Sequence, residues 1–339
     1  MKLSAALLAP YWFAQLFTGA KSFLDNPLIG SSRLNAMGLH TLRVRAAHYM
    51  TTRRRAALAS SLCHADKATF DRDGVVEVRD FLPVEHFQML RDEVRAFKGP
   101  ARETIQGDTI TRRLALDAAA RAAIPAFDYF QQNSRWRGLA HYVAGFDRDP
   151  LLYLQSILPG RHDAPADPQL EFHSDTFHPS MKAWLFLEDV PIEAGPFAYV
   201  RGSHRLTPAR LAWERERSMT VRDGDCRLSA RGSFRISSAE LTEMGFMEPA
   251  IFAVPANTLI VADTVGFHAR TRATTASTRV EIWAYGRRNP FSPTSGIDLW
   301  RMTGLSDQRV PLRWWLRDKA DPIIRQPWKP VGMKGVADE

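Results

Sequence analysis

The stretch EFHSDTFHPSMKAWLFLEDVPIEAGPFAYVRGSH, residues 171–204, holds the pattern that decides the reading of this chain. Two apolar runs, 181–187 and 197–200, are split by the turn residues Ala194-Gly195-Pro196. Similar runs lie at 151–158, 251–254, 258–262 and 280–286, with Pro255-Ala256-Asn257 as another break. Runs of this length between turn signals read as strands, and no convincing helix lies between most of them. That order favours an antiparallel barrel or sandwich over alternating strand and helix. Further upstream, Asp73-Gly74 opens a short strand at 75–78. Phe81-Leu82-Pro83 then leads into a helix marked by Phe87, Leu90, Val94 and Phe97.

His173-Ser174-Asp175 is the chemical centre. On a strand, residues i and i+2 share a face, so an imidazole and a carboxylate aim at one point. A histidine from a distant strand would complete a two-histidine, one-carboxylate face that suits Fe(II) and leaves positions open. His268, after the apolar run 259–262, is the best third ligand. Eleven residues on, Arg279 opens the next strand, where its fork can bind a carboxylate through two parallel hydrogen bonds. Arg270 and Arg272 are its rivals. Together these residues describe a 2-oxoglutarate site. A second His-x-Asp, His64-Ala65-Asp66, falls in a helical region where i and i+2 do not share a face, and is a decoy. His178 competes as a ligand, and His204 reads as a turn residue. His40, His48, His86, His141 and His162 have no evident partner. The chain has no GxGxxG, GxxxxGK[ST], Gly-x-Ser-x-Gly or HExxH motif.

The 339 residues carry a formal charge of +8, which is unevenly placed. Residues 1–70 hold nine Lys/Arg and two acids, while the other 269 hold 36 bases and 35 acids. A nearly neutral main domain argues against a nucleic-acid partner. Two cysteines, Cys63 and Cys226, make no disulfide framework and suit a reducing, cytoplasmic setting. Residues 5–17 are apolar but short of the ~20 that span a bilayer. Their aromatic residues beside a basic region suit peripheral contact with an anionic membrane; packing on the domain surface and, behind it, a signal peptide are the alternatives. In the helix expected at 39–59, Leu42, Ala46, Met50, Ala57 and Leu58 lie on or near one side, and Arg43, Arg53 and Arg54 form a basic side. The division expected is 1–69 as a basic N-terminal extension, 70–290 as the catalytic domain and 291–339 as a Trp-rich C-terminal extension. The sequence does not set an oligomeric state.

The HSD motif, the strand Ala183-Trp184-Leu185-Phe186-Leu187 and the segment Ala194-Gly195-Pro196 through Gly202-Ser203-His204 resemble the phytanoyl-CoA dioxygenase family. Asp73-Gly74-Val75-Val76 with Phe81-Leu82 resembles its N-terminal signature, so the likeness covers about 70–290. It implies a double-stranded β-helix (jelly-roll, cupin-like) core, mainly β with flanking helices. It implies His173, Asp175 and His268 as iron ligands, with Arg279 holding the distal carboxylate of 2-oxoglutarate. Trp184 and, less securely, Gln155 line the co-substrate pocket. A further basic contact falls to Arg112 or Arg113. Arg270 stands where members often have a small hydroxyl residue; it would compensate or contact an anionic substrate. The activity implied is Fe(II)-, 2-oxoglutarate- and O2-dependent hydroxylation of a small-molecule or lipid-type substrate, with release of succinate and CO2. Related halogenases lack the carboxylate, so Asp175 implies hydroxylation. The alternative classes are a cupin-like metal-binding protein and an inactive binding module of the same fold. The location of the Arg-rich insertion between His204 and Ile251 suggests a lid over the open side of the site, with a solvated loop as the default reading because its acids reduce the net charge.

Overall fold

Among the residues that this computed structural model describes, 5–159, 164–321 and 326–338, the strands form two antiparallel sheets. In chain order they are β1 (Val75–Val78), β2 (Lys98–Gln106), β3 (Thr109–Ala115), β4 (Leu151–Leu158), β5 (Met181–Phe186), β6 (Phe197–Tyr199), β7 (Ala250–Phe252), β8 (Thr258–Asp263), β9 (His268–Arg270), β10 (Arg279–Gly286) and β11 (Lys329–Gly335). The large sheet has the order β1-β8-β5-β10-β4-β3-β2-β11, and the small one β7-β6-β9. His173 adds a bridge to the small sheet, opposite His268. From β4 onward the chain therefore passes back and forth between the sheets. That winding is the expected double-stranded β-helix.

Strand side chains alternate, so the large sheet has two unlike faces. Leu154, Leu185, Leu259, Val261 and Ile282 point into a core shared with the helices Val84–Ala96 and Ser134–Ala144. The first helix carries the expected stripe, and Leu90 and Val94 are fully buried there. Burying each contributes about 2 kcal/mol. Tyr153, Trp184, Phe186 and Trp283 point the other way, toward Phe197, Tyr199 and Phe252 of the small sheet. This inner side holds the site. The helix His64–Asp73 delivers the chain to β1 through Gly74, whose φ of 79° suits glycine. A Cβ there would lie 2.4 Å from His204 Nδ1, so His204 is a packed turn residue as expected.

Strands β2, β3 and β11 carry no clear sequence signature. Their charged residues mask the alternation, and ion pairs such as Arg112–Glu103 at 2.7 Å hold those positions in place. Both expected extensions are built into the same body. β11 pairs with β2, and Val310 and Trp314 of the helix Arg309–Ala320 join the inner cluster.

The helix Leu39–Leu58 forms where expected but turns its other side inward. Its buried residues are His40, Arg43, Val44, Ala47, Thr51 and Arg54, whereas Leu42 is 66% exposed. Arg43 and Arg54, expected on a basic outer surface, are internal. Arg43 donates to the carbonyls of Leu16, Thr18 and Ala20. Arg54 donates to those of Gly145, at 2.8 Å, Pro290, at 3.0 Å, and Ser292. Carbonyl partners make a buried guanidinium tolerable, and sequence periodicity does not display them.

The insertion is not a lid. Its helix Pro208–Thr220 packs on the N-terminal segment: Phe23 and Ile29 share a core with Trp213, Val221 and Phe234. Asn35 donates to the Ser218 carbonyl at 2.8 Å, and His40 meets Glu214 at 2.7 Å. No helix among the described residues is long and apolar enough to cross a membrane.

Replacing Arg54 leaves several carbonyls without a donor. Arg54→Ala is expected to destabilise the protein by about 2–3 kcal/mol in denaturant unfolding. Exposed Arg53→Ala is expected to stay within about 0.5 kcal/mol of the parent. Equal stability of the two variants would contradict the inward orientation.

Candidate metal and co-substrate site

His173 and His268 exchange both backbone N–H···O bonds, each 3.0 Å. This directly opposed antiparallel pair sets both side chains on one face. The ring centroids are 4.5 Å apart. On its other side, the His173 segment is held by the insertion. Ile236 N–H donates to the Phe172 carbonyl at 2.9 Å, and Ser174 N–H to the Phe234 carbonyl at 3.0 Å. The insertion thus acts as an outer strand that clamps the ligand-bearing segment.

Each imidazole is also fixed in rotation. His173 Nδ1 faces the Glu171 carbonyl at 2.8 Å, and His268 Nδ1 faces the Gly266 carbonyl at 2.9 Å. A carbonyl only accepts, so Nδ1 carries the proton in both rings and Nε2 offers its lone pair. Asp175 Oδ1 lies 3.8 Å from His173 Nε2 and 3.7 Å from His268 Nε2. One donor atom from each of the three residues falls within 4.8 Å of the others. Buried His268 Nε2 has no hydrogen-bond partner, which a ligand role accounts for. Two neutral imidazoles, each tied back by its second nitrogen, and one carboxylate fit Fe(II).

The electrostatics keep His173 and Asp175 in ligating form. Burial, and then His268, push His173 well below the usual imidazole range. Burial alone would raise the Asp175 carboxyl, but Lys182, His268 and His173 together hold it well below the usual carboxylate range. Lys182 Nζ is 2.7 Å from Asp175 Oδ2. Lys21, from the N-terminal segment, donates to the Asp175 backbone carbonyl. Its ammonium is pushed down to about 8 by burial and by Arg287.

Beside the three donors lies a cavity of about 180 Å3, lined by Gln155, Trp184, Arg113, Arg270 and Arg279 among others. Strand register explains the gathering. Glu281 on β10 stands opposite Gln155 on β4, and Gln155 opposite Arg113 on β3, so their side chains share the inner face. Arg113 Nε donates to Gln155 Oε1 at 2.7 Å, and Gln155 Nε2 to Glu281 Oε1 at 2.5 Å. Arg279 Nε donates to Glu281 Oε2 at 3.1 Å, and its Nη1 to the Gly195 carbonyl at 2.8 Å. The chain of bonds aims Arg279 and leaves its Nη2 without a partner among the described residues. Arg270, two residues beyond His268 on β9, lines the same cavity, with Nη1 on Asp167 at 2.8 Å.

The structure thus brings together His173, Asp175, His268, Arg279, Trp184 and Gln155. His178 stands apart, its Nδ1 on the Pro179 carbonyl. Exposed His64 is remote, and Asp66 pairs with Arg135 at 2.8 Å. Arg113 lines the cavity, stacked 3.7 Å over Trp283, whereas Arg112 holds the sheet edge. Arg272 is exposed, and His162 lies outside the described residues. Sequence reading passes over Lys21, Lys182 and Glu281. Alternation along β10 from Arg279 would have marked Glu281 as inward-facing; nothing local marks Lys21.

Residues 70–230 match the family model described as phytanoyl-CoA dioxygenase (PhyH). Over these residues the chain is similar to that family. The PhyH match includes His173 and Asp175, while His268 and Arg279 follow it in sequence. No curated protein matches the chain. Among solved structures it is similar to the epimerase SnoN in complex with Fe3+, alpha ketoglutarate and nogalamycin RO. That match has 20% identity and a TM-score of 0.45, and covers 68% of this chain and 83% of that one. It is also similar to HygX from Streptomyces hygroscopicus, with nickel, 2-oxoglutarate and hygromycin B bound. Here identity is 17%, the TM-score 0.41 and coverage 67% and 88%. For EctD from S. alaskensis with bound Fe, identity is 16%, the TM-score 0.40 and coverage 67% and 77%.

A depressed imidazole pKa keeps His173 neutral as pH falls through the ordinary value near 6.5. In an NMR titration of metal-free protein, its ring signals are expected to stay constant from about pH 7.5 to about pH 5.5. A midpoint at or above about 6.5 would contradict the site's electrostatics.

Proposed function

We propose that the protein is an Fe(II)- and 2-oxoglutarate-dependent hydroxylase of a small-molecule or lipid-type substrate. The observation that carries this reading is the convergence of His173 Nε2, His268 Nε2 and Asp175 Oδ1 beside a cavity with two arginines. His173, Asp175 and His268 would hold the iron. Bound Fe(II), with 2-oxoglutarate and O2, supplies the oxidising chemistry that yields succinate, CO2 and a hydroxylated product. Arg279, aimed by Glu281, would bind the distal carboxylate, with Arg270 beside it. The second arginine takes the place of the small hydroxyl residue common in the family and offers a charged hydrogen bond instead. Trp184, tilted against Phe197 with ring centroids 4.5 Å apart, forms part of the cavity wall and limits water. Lys182 keeps Asp175 ionised and oriented. The carboxylate of Asp175 occupies the position that a halogenase would leave free, which supports hydroxylation.

Succinate formation from 2-oxoglutarate with Fe(II) and O2, without added substrate, tests the reading. His173→Ala and Asp175→Ala are expected to abolish it, and His64→Ala to leave it intact. Arg279→Gln is expected to raise KM for 2-oxoglutarate about tenfold or more, with a smaller change in kcat. Turnover that survives in both triad variants would overturn the assignment. No turnover in the parent protein would instead favour a binding module.

The outward apolar residues Leu7, Tyr11, Phe13 and Phe17 support peripheral contact with an anionic membrane at this end. Co-sedimentation of the full chain with anionic vesicles is expected to drop in the Tyr11→Ser/Phe13→Ser variant. Equal sedimentation would remove this part of the proposal.

A further inference from the structure

A cavity of about 450 Å3 opens from the metal ligands, lined by Asp175, Lys182, Tyr153, Trp283 and Trp314 among others. A second cavity, of about 410 Å3, continues from it: Leu151, Tyr285, Arg287, Arg313 and Arg317 line both. The second cavity is strongly basic. Arg148, Arg287, Arg288, Arg309, Arg313 and Arg317 line it against one acid, Asp149. Asp149 is already engaged, with His141 Nε2 at 3.1 Å and Arg301 at 3.5 Å. Arg287 donates to the Gly19 carbonyl and Arg309 to the Asp149 carbonyl. Arg148, Arg313 and Arg317 have no acidic or hydrogen-bond partner among the described residues, and Arg148 Nε is a buried donor without an acceptor. Arg288 has no hydrogen bond among them and only the nearby Asp298 carboxylate, shared with Arg309 at 3.9 Å, to offset its charge. Such a cluster repels itself; burial, with Arg309 and Arg148, pushes Arg288 down to about 10. It stays cationic at neutral pH. Arg313 is exposed, Arg148, Arg287, Arg288 and Arg317 are half-buried and Arg309 is buried, and all six line one half-open pocket that also carries Trp300, Leu312 and Leu316.

We propose that this second cavity is the substrate's anion subsite, and that the substrate bears a multiply charged phosphoryl or pyrophosphoryl group. Guanidinium forks match phosphoryl oxygens, and several unpaired forks in one place suit more than one negative charge. The group would anchor in the arginine cavity while an apolar or flat body lies along Tyr285, Trp283 and Trp314 toward the iron. Anchoring at a distance would position one C–H at the reacting centre. The proposal rests on the oxygenase reading and names its substrate class.

Calorimetric titration of metal-free, 2-oxoglutarate-saturated protein with inorganic pyrophosphate tests it. Arg288→Gln/Arg313→Gln is expected to weaken binding about tenfold or more, and Arg279→Gln to change it less than about twofold. Absence of pyrophosphate binding, equal binding by the double variant, or equal loss in Arg279→Gln would overturn the subsite. Thermal unfolding of each variant checks that the fold persists. The titration involves no turnover, so failure of the oxygenase reading would register separately, in the succinate assay. Vesicles containing phosphatidic acid provide a second arm. Sedimentation that depends on Arg288 and Arg313 assigns the group to a lipid headgroup. Pyrophosphate binding without such sedimentation assigns it to a soluble phosphorylated substrate.

Discussion

The paired backbone bonds between His173 and His268 are the constraint on which the site depends. Two N–H···O contacts of 3.0 Å place two imidazoles from segments nearly a hundred residues apart on one face. The Glu171 and Gly266 carbonyls then fix each ring so that Nε2 faces inward. Asp175 follows from strand alternation, and Lys182 fixes its second oxygen. Removing the pairing would leave three ordinary polar residues without a common focus.

The pairing is itself supported from both sides. The small sheet holds His268 through Tyr199, and the insertion holds Phe172 and Ser174 through residues 234–236. The insertion is anchored in turn by the N-terminal segment, where Phe23, His40 and Asn35 meet Phe234, Glu214 and Ser218. Positive charge near the N-terminus therefore does more than decorate a surface. Arg43 and Arg54 tie loops together, Arg55 reaches Asp263 at 2.7 Å, and Lys21 reaches the backbone of a candidate iron ligand.

Much of this was legible in the sequence where a single strand or turn decides the geometry. The strand pattern after residue 150 indicated an antiparallel barrel or sandwich, the family resemblance implied a jelly roll, and strand context separated His173-Ser174-Asp175 from its helical decoy. Reading failed where long-range partners decide. Arg43 and Arg54 look like a solvent face until the carbonyls of distant loops are in place. Leu42 looks like core, yet no element covers it. Glu281 reads as the polar half of a strand, although Arg279 and Gln155 enclose it. The arginines of the second cavity come from the loop before β4, the end of β10 and the helix Arg309–Ala320, so no local pattern gathers them.

The central claim is that the two histidines and Asp175 hold iron in a way that leaves adjacent positions for 2-oxoglutarate. Absorption spectroscopy of the Fe(II)-loaded protein under anaerobic conditions tests this most directly. An α-keto acid chelated to Fe(II) gives a metal-to-ligand charge-transfer band in the visible region. Addition of 2-oxoglutarate is expected to produce that band in the parent protein, saturating at one equivalent of iron. Stoichiometric iron with no visible band on saturation with 2-oxoglutarate would contradict the account.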